Sequence, residues 1–236
     1  MKSSKLINPN EIIYLAGSSG MVGRSLLRLL KESSYGLEKY GGKLLTPSRK
    51  ELDLLNTEEV NNWFDKNKPS IVILAAAKVG GIYANANFPA DFLYENLKIQ
   101  MNVIEAAWKN RVKRFLFLGS SCIYPKYARQ PIEEESLLTK SLESTNEWYA
   151  ISKISGIKLL QALRKQYNFD AISLMPTNLY GTGDNYHPTN SHVIASLINK
   201  FCNAVKFSER EVVCWGTGNV LREFLHVDDL SRAILF

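Results

Sequence analysis

Cysteine is scarce in this chain, and so are histidine and unbroken apolar runs. Of 236 residues, three are Cys (Cys122, Cys202, Cys214) and three are His. None of the cysteines stands in C-x-x-C spacing, so neither a disulfide framework nor a structural zinc site is expected. That scarcity points to a reducing compartment, the cytoplasm. No stretch approaches the ~20 apolar residues that cross a bilayer. Residues 1–10 hold two lysines but no apolar signal-peptide core, so no membrane partner is expected. Internal repeats and low-complexity tracts are also lacking.

What is there is ordinary globular material. The apolar share of 45% excludes disorder over most of the length. At roughly 100–200 residues per domain, the chain holds one large domain, or one domain and part of a second. The net charge is +6, yet the basic residues are scattered (Lys109, Arg111, Lys113, Arg114; Arg164, Lys165). Solvated helix faces account for most of them. The remaining bias suits an anionic small molecule, and no nucleic-acid motif is present.

Strand and helix patterns alternate. Apolar runs at 12–16, 43–46, 71–75, 115–119 and 171–175 read as strands. Residues 21–31, 91–110 and 147–166 carry helical spacing, and Asn56-Thr57-Glu58-Glu59 reads as a capped helix start. This alternation predicts an α/β fold, a doubly wound parallel sheet of Rossmann type with helices on both faces. Beyond Gly181 the pattern loosens, so residues 1–180 are expected to form the main domain. Residues 181–236 would form a smaller one, with some interleaving. The chain stops inside an apparent helix begun near Asp228, which suggests a truncated substrate domain.

Gly17-Ser18-Ser19-Gly20-Met21-Val22-Gly23 links the first strand to the first helix. The first glycine permits the tight turn, the second lets a pyrophosphate approach the backbone, and the third allows close helix–strand packing. The helix N-terminus adds free N–H groups and a favourable dipole. The Gly-x-x-Gly-x-x-Gly spacing resembles that of the extended short-chain dehydrogenase/reductase superfamily. After the second strand an acid would select NAD, but Ser48-Arg49-Lys50 stands there. A guanidinium pairs with a 2′-phosphate, so NADP(H) is the expected cofactor. Asp53 and Leu54 are placed along the adenine.

Tyr149 and Lys153 stand four residues apart on one helix face. A nearby ammonium would lower the phenol's pKa and suit it to protonate a carbonyl under reduction. Ser120-Ser121, after the strand ending at Gly119, supplies a hydroxyl for the substrate oxygen. Cys122 falls on the same loop. A lone Cys is most often a small buried hydrophobe, but beside a triad serine it is a candidate base. His192 lies where a polar loop runs into a helix, as a cap or as an acid. A thiolate and an imidazole entering one site suit epimerisation next to a ketone.

Several segments together resemble the GDP-L-fucose synthase family. They are Lys78-Val79-Gly80-Gly81-Ile82, Ser120-Ser121-Cys122-Ile123-Tyr124-Pro125, Pro176-Thr177-Asn178-Leu179-Tyr180-Gly181, Ser191-His192-Val193-Ile194 and the run from Arg222 to Asp229. The resemblance implies an NADPH-dependent enzyme acting on GDP-4-keto-6-deoxy-D-mannose, with epimerisation at C3 and C5 before reduction at C4. It implies Tyr149 as proton donor with Lys153 as its partner, and Ser120 orienting the keto oxygen. Cys122 would be the epimerisation base and His192 the acid. Leu118, Gly119, Ser120 and Ser121, with Pro176, Thr177, Asn178 and Leu179, would line the nicotinamide, joined by Lys153 and His192. Lys200, Trp215 and Arg222 match nucleotide-sugar contacts, and a homodimer is expected.

Two departures from the family pattern stand out. Ser18 and Ser19 replace basic residues of some relatives, so the NADP preference leans on Arg49. The family's substrate domain continues past Phe236, so the chain as given is expected to bind substrate poorly. Two other readings compete: an epimerase or dehydratase with bound NAD, and a non-catalytic dinucleotide-binding regulator. Arg49 with Cys122/His192 argues against the first, and the Ser-Tyr-Lys set against the second.

Overall fold

The computed structural model describes residues 7–187, 191–214 and 216–236. The first strand, β1 (Ile12–Ala16), is buried on both faces. Alternation along it sends Ile13 and Leu15 into one apolar cluster, and Tyr14 and Ala16 into the other. It feeds α1 (Met21–Glu32), where Leu26 and Leu30 are buried one turn apart. Next come β2 (Lys43–Leu45) and α2 (Thr57–Asn67). Asn56 caps α2 as its sequence predicts: its side-chain oxygen accepts from the N–H groups of Glu58 and Glu59 at 3.1 and 3.2 Å.

Strand β3 (Ile71–Leu74) leads to a short helix, α3 (Ile82–Asn87), and to the 21-residue α4 (Pro89–Lys109). Pro89 opens α4, where its missing N–H costs nothing. Strand β4 (Arg114–Leu118), α5 (Glu147–Tyr167) and β5 (Ala171–Leu174) complete the main layer. The five strands are all parallel, in the order β2-β1-β3-β4-β5. Between β1 and β3 the chain reverses its direction of travel across the sheet. Such a switch point leaves a crevice at the carboxyl ends of the strands.

The remaining elements are β6 (Asn178–Tyr180), α6 (Val193–Lys206), β7 (Phe224–His226) and α7 (Val227–Leu235). β6 and β7 form a separate parallel pair, Asn178 opposite Phe224. Neither strand stands in an apolar run that marks it in the sequence: the residues are Asn-Leu-Tyr and Phe-Leu-His. Helix α7 falls within the expected smaller unit, yet it packs beside α1. Its Asp228 accepts from Ser25 Oγ at 2.6 Å and from Arg28 at 2.5 Å, and Ser231 Oγ donates to Ser25 Oγ at 2.9 Å. No described helix is long and apolar enough to cross a membrane.

Candidate active site

The carboxyl ends of β1, β3 and β4, with the loops that follow them, enclose a cleft of about 1260 Å³. Every residue of the Gly17–Gly23 turn lines it. Gly17 has φ +86°, and a Cβ there would lie 2.6 Å from the Ala76 amide nitrogen. A Cβ on Gly23 would lie 2.1 Å from the Gly17 carbonyl oxygen. The protein's own packing demands both glycines.

Gly20 is different. Its backbone is ordinary, at φ −75°, and a Cβ would meet nothing nearer than 3.6 Å. Nothing in the protein requires a glycine there. The bare backbone instead leaves room for a group arriving from the cleft, and no side chain caps the first amides of α1. These residues fit the pyrophosphate of a dinucleotide.

Arg49, Asp53 and Leu54 line the same cleft. Arg49 is 75% exposed, with Nε 3.9 Å from Asp53 Oδ1. The acid is partly held by its own loop, where it accepts from the Leu55 N–H at 3.1 Å. The guanidinium therefore presents the more accessible charge to an arriving phosphate.

Ser120, Ser121, Cys122, Tyr149 and His192 all line the cleft, as do Gly119, residues 176–179 and Arg222. Ser120 begins a single 3-10 turn after β4 and accepts from the Cys122 N–H at 3.4 Å. The Tyr149 ring stands edge-to-face with Phe92, centroids 6.4 Å apart. His192 immediately precedes α6, yet its side chain caps nothing. Trp215 lies outside the described residues.

Three expected site residues do not reach the cleft surface. Leu118 is buried in the β1–α1 cluster. Lys153 is 3% exposed beneath the cleft. Its Nζ donates to the Leu118 carbonyl at 2.6 Å and sits 4.7 Å from the Phe117 ring centroid and 5.7 Å from that of Tyr149. Lys200 instead donates to the Val213 carbonyl at 2.9 Å.

The electrostatics also depart from expectation. Lys153 was expected to lower the Tyr149 pKa, but burial pushes the phenol upward, with Cys122 adding in the same direction. Burial pulls the Lys153 ammonium down to about 8. Both groups lose water on burial, which disfavours phenolate and ammonium alike. Tyr149 is thus held as a phenol, the form that donates a proton. Burial likewise raises the Cys122 thiol, opposed by the Ser120 hydroxyl and the Lys153 charge.

Sequence reasoning missed part of the wall. Lys78, Asn85, Glu95 and Asn146 line the cleft. Lys78 Nζ lies 2.5 Å from Glu95 and 3.3 Å from Asp91. Asn96, 2% exposed, holds the Lys78 backbone at both ends: Oδ1 accepts from its N–H at 2.8 Å and Nδ2 donates to its carbonyl at 3.0 Å. No periodicity marks these positions. The polar residues scattered among apolar ones in α4 were the available signal. Among the described residues, no group of His, Cys, Asp and Glu could hold a metal ion.

Residues 13–236 match the family model described as the NAD dependent epimerase/dehydratase family. The chain is 54% identical over 233 residues to GDP-L-fucose synthase 1 of Arabidopsis thaliana, spanning 99% of this chain and 70% of that protein. It is 49% identical to GDP-L-fucose synthase of Escherichia coli (strain K12), spanning 94% and 67%. A GDP-L-fucose synthetase from Naegleria fowleri, solved with NADP bound, superposes with TM-score 0.85 at 28% identity, over 97% of this chain and 73% of that one. With a glycine turn, a serine, a tyrosine, a cysteine and a histidine at one cleft and Lys153 beneath it, the chain belongs to the NAD dependent epimerase/dehydratase family, in its GDP-L-fucose synthase branch.

Proposed function

We propose that the protein converts GDP-4-keto-6-deoxy-D-mannose to GDP-L-fucose, by epimerisation at C3 and C5 and then reduction of the C4 ketone with NADPH. The observation that carries this reading is the meeting of Cys122, His192, Ser120 and Tyr149 on the cleft that also holds the glycine turn.

NADP(H) bound there would supply the hydride. The Gly17–Gly23 turn and the first amides of α1 would hold its pyrophosphate, and Arg49 would meet the 2′-phosphate. Ser120 Oγ and the Tyr149 phenol donate to the C4 oxygen and hold it in place. The C3 and C5 protons are acidic only while that ketone can take the charge as an enolate, so proton removal comes first. Cys122 Sγ takes the proton as thiolate, and His192 returns one to the opposite face. Once the epimerisations are complete, Tyr149 Oη gives its proton to the C4 oxygen as the alcohol forms. Lys153, fixed on the Leu118 carbonyl, stands 5.7 Å from the phenol ring as the charge that eases this transfer.

The active species is read as a homodimer. Tyr94 (63% exposed) and Met101 (46%) on α4 lie one face-repeat apart, and Trp148 (43%) stands in the first turn of α5, the helix packed on α4. Such an apolar stripe suits a two-fold contact between neighbouring copies of α4 and α5. Free thiols, two of them on the surface, fit a reducing compartment such as the cytoplasm.

The test is one incubation in heavy water with NADPH and the keto-sugar nucleotide. Loss of the reduced-nicotinamide absorbance, with deuterium at C3 and C5 of the product, is expected. Reduction without exchange would remove the epimerase half of the reading, and absence of both would refute it.

A further inference from the structure

Single exposed apolar side chains are common on protein surfaces and need no cause. Those on the wall of a cleft are a different matter. Among the described residues, two exposed large apolar side chains line the cleft: Val79 (61% exposed) and Tyr127 (78%). Tyr127 is the aromatic one, and no role has yet been given to it.

The backbone holds Tyr127 out. The Ala128 N–H donates to the Pro125 carbonyl at 3.1 Å, so Lys126 and Tyr127 form the corner of a β-turn. The turn is anchored from the far end of the loop. The Lys126 N–H donates to the Ser141 carbonyl at 3.1 Å, and the Lys126 ammonium lies 2.8 Å from Glu143, which also lines the cleft. That ammonium stands 5.7 Å from the centre of the Tyr127 ring. The bonds that fix the turn need no aromatic ring. Folding accounts for the turn and not for the phenol at its tip.

The turn belongs to the reacting end of the cleft. It follows Cys122 on the loop after β4, and its anchor Glu143 stands just ahead of α5, which carries Tyr149. The glycine turn follows β1, two strands away across the sheet, and Arg49 follows β2, three away. At about 4.8 Å per strand they lie roughly 10 and 14 Å to the side. The pyrophosphate and adenine therefore sit at the other end. The nicotinamide must lie inside, against the strand ends, for its hydride to face the ketone. The outer rim beside Cys122 and Tyr149 is left to the sugar.

A 6-deoxyhexose offers this ring a suitable surface. Its faces present C–H bonds, and its C6 is a methyl group. The negative face of an aromatic ring attracts such positively polarised hydrogens, and contact removes apolar area from water. A phosphate gains nothing from the same surface.

We infer that Tyr127 is a sugar-stacking residue, packing its ring against the apolar face of the 6-deoxyhexose, a specificity role that rests on the function proposed above. The pinned turn keeps the ring in place before the sugar arrives.

The test uses GDP, GDP-L-fucose and NADPH as calorimetric probes, with wild-type turnover of the keto sugar measured alongside. Tyr127→Ala and Tyr127→Phe alter an exposed side chain, so both should melt like wild type. Tyr127→Ala should bind GDP-L-fucose about tenfold more weakly, with GDP and NADPH affinities unchanged. Tyr127→Phe keeps the ring and should match wild type throughout. Wild-type affinity for GDP-L-fucose in Tyr127→Ala would overturn the inference. So would an equal loss for GDP, which assigns the ring to the nucleotide, or a loss for NADPH, which assigns it to the nicotinamide. A loss in Tyr127→Phe as large as that in Tyr127→Ala would overturn stacking in favour of the hydroxyl. A wild type that binds NADPH but neither turns over the keto sugar nor prefers GDP-L-fucose to GDP would overturn the functional reading beneath it.

Discussion

Lys153 Nζ donates to the Leu118 carbonyl oxygen at 2.6 Å, so the ammonium ties α5 to the carboxyl end of β4 rather than contacting the cleft. The bond satisfies one of its three hydrogens while burial removes water from the others.

That burial gives a stability signature. The Lys153 pKa falls from 10.5 to about 8 on folding. Below pH ~8 both folded and unfolded chains carry the charge, and the folded state bears the full desolvation cost. Between the two values the folded lysine is neutral while the unfolded one keeps its proton, so stability rises with pH. Relative to Lys153→Met, the wild type should gain on the order of 3 kcal/mol across that window. Denaturant titrations of both proteins near pH 7.5 and about 10.5 measure it; parallel behaviour would mean that the ammonium is better solvated than its position indicates.

The glycine turn separates folding from binding. A methyl at Gly20 meets only the Gly17 carbonyl at 3.6 Å, whereas one at Gly23 would collide with that oxygen at 2.1 Å. Gly20→Ala should therefore melt like wild type but lose NADPH affinity, because its methyl occupies the phosphate's approach. Gly23→Ala should lose stability as well, since α1 must move away from the turn. Thermal melts and cofactor titration distinguish the two.

Arg49 is the residue proposed to set cofactor preference. Arg49→Ala should weaken NADPH binding roughly tenfold, near the low end for a charge-assisted bond because the side chain is 75% exposed. NADH binding should barely change. Equal losses for both cofactors in calorimetry would mean that Arg49 does not meet the 2′-phosphate.

Cys122 and Tyr149 divide the chemistry. Cys122→Ser should cut deuterium exchange at C3 and C5 by about 10²–10⁴-fold while slow reduction of unepimerised ketone persists. Tyr149→Phe should do the reverse, stopping reduction and leaving exchange and NADPH binding nearly intact. The Cys122 thiol is raised by burial, and in the proposed mechanism its thiolate is the base. Wild-type exchange should therefore climb as pH rises above neutrality, and Cys122→Ser should lack that climb. Mass spectrometry of the product across pH reads both effects.

Much of the main layer is legible in the sequence because its signals are local. The Ile12–Ala16 run, the glycines after it, the Leu26/Leu30 spacing and the Asn56 cap each need only a few neighbouring residues. The Tyr149–Lys153 pair is visible because one helical turn brings i and i+4 together. Strands β6 and β7 are not visible: Asn-Leu-Tyr and Phe-Leu-His stand in no marked apolar run, and their pairing joins Asn178 to Phe224 across the intervening α6. The direction of the Tyr149 shift was misread for a related reason. Sequence spacing places a charge near the phenol but says nothing of the water that both groups lose.

Local order thus determined by itself the alternating strands and helices, the glycine turn and the candidate reacting side chains, since each is read from a few neighbouring residues. Only the tertiary structure decided which side chains share the cleft and at what protonation. Cys122 and His192 come from separate loops, one after β4 and one before α6, and only the fold sets both on one cleft. Asn85 and Asn146 lie in separate segments, and folding leaves both with an unpaired oxygen. Lys153 loses its water only when α5 closes on β4, and Ser25 meets Asp228 only because α7 returns to α1. Contacts of that sequence separation depend on packing and desolvation, which no short pattern of residues encodes.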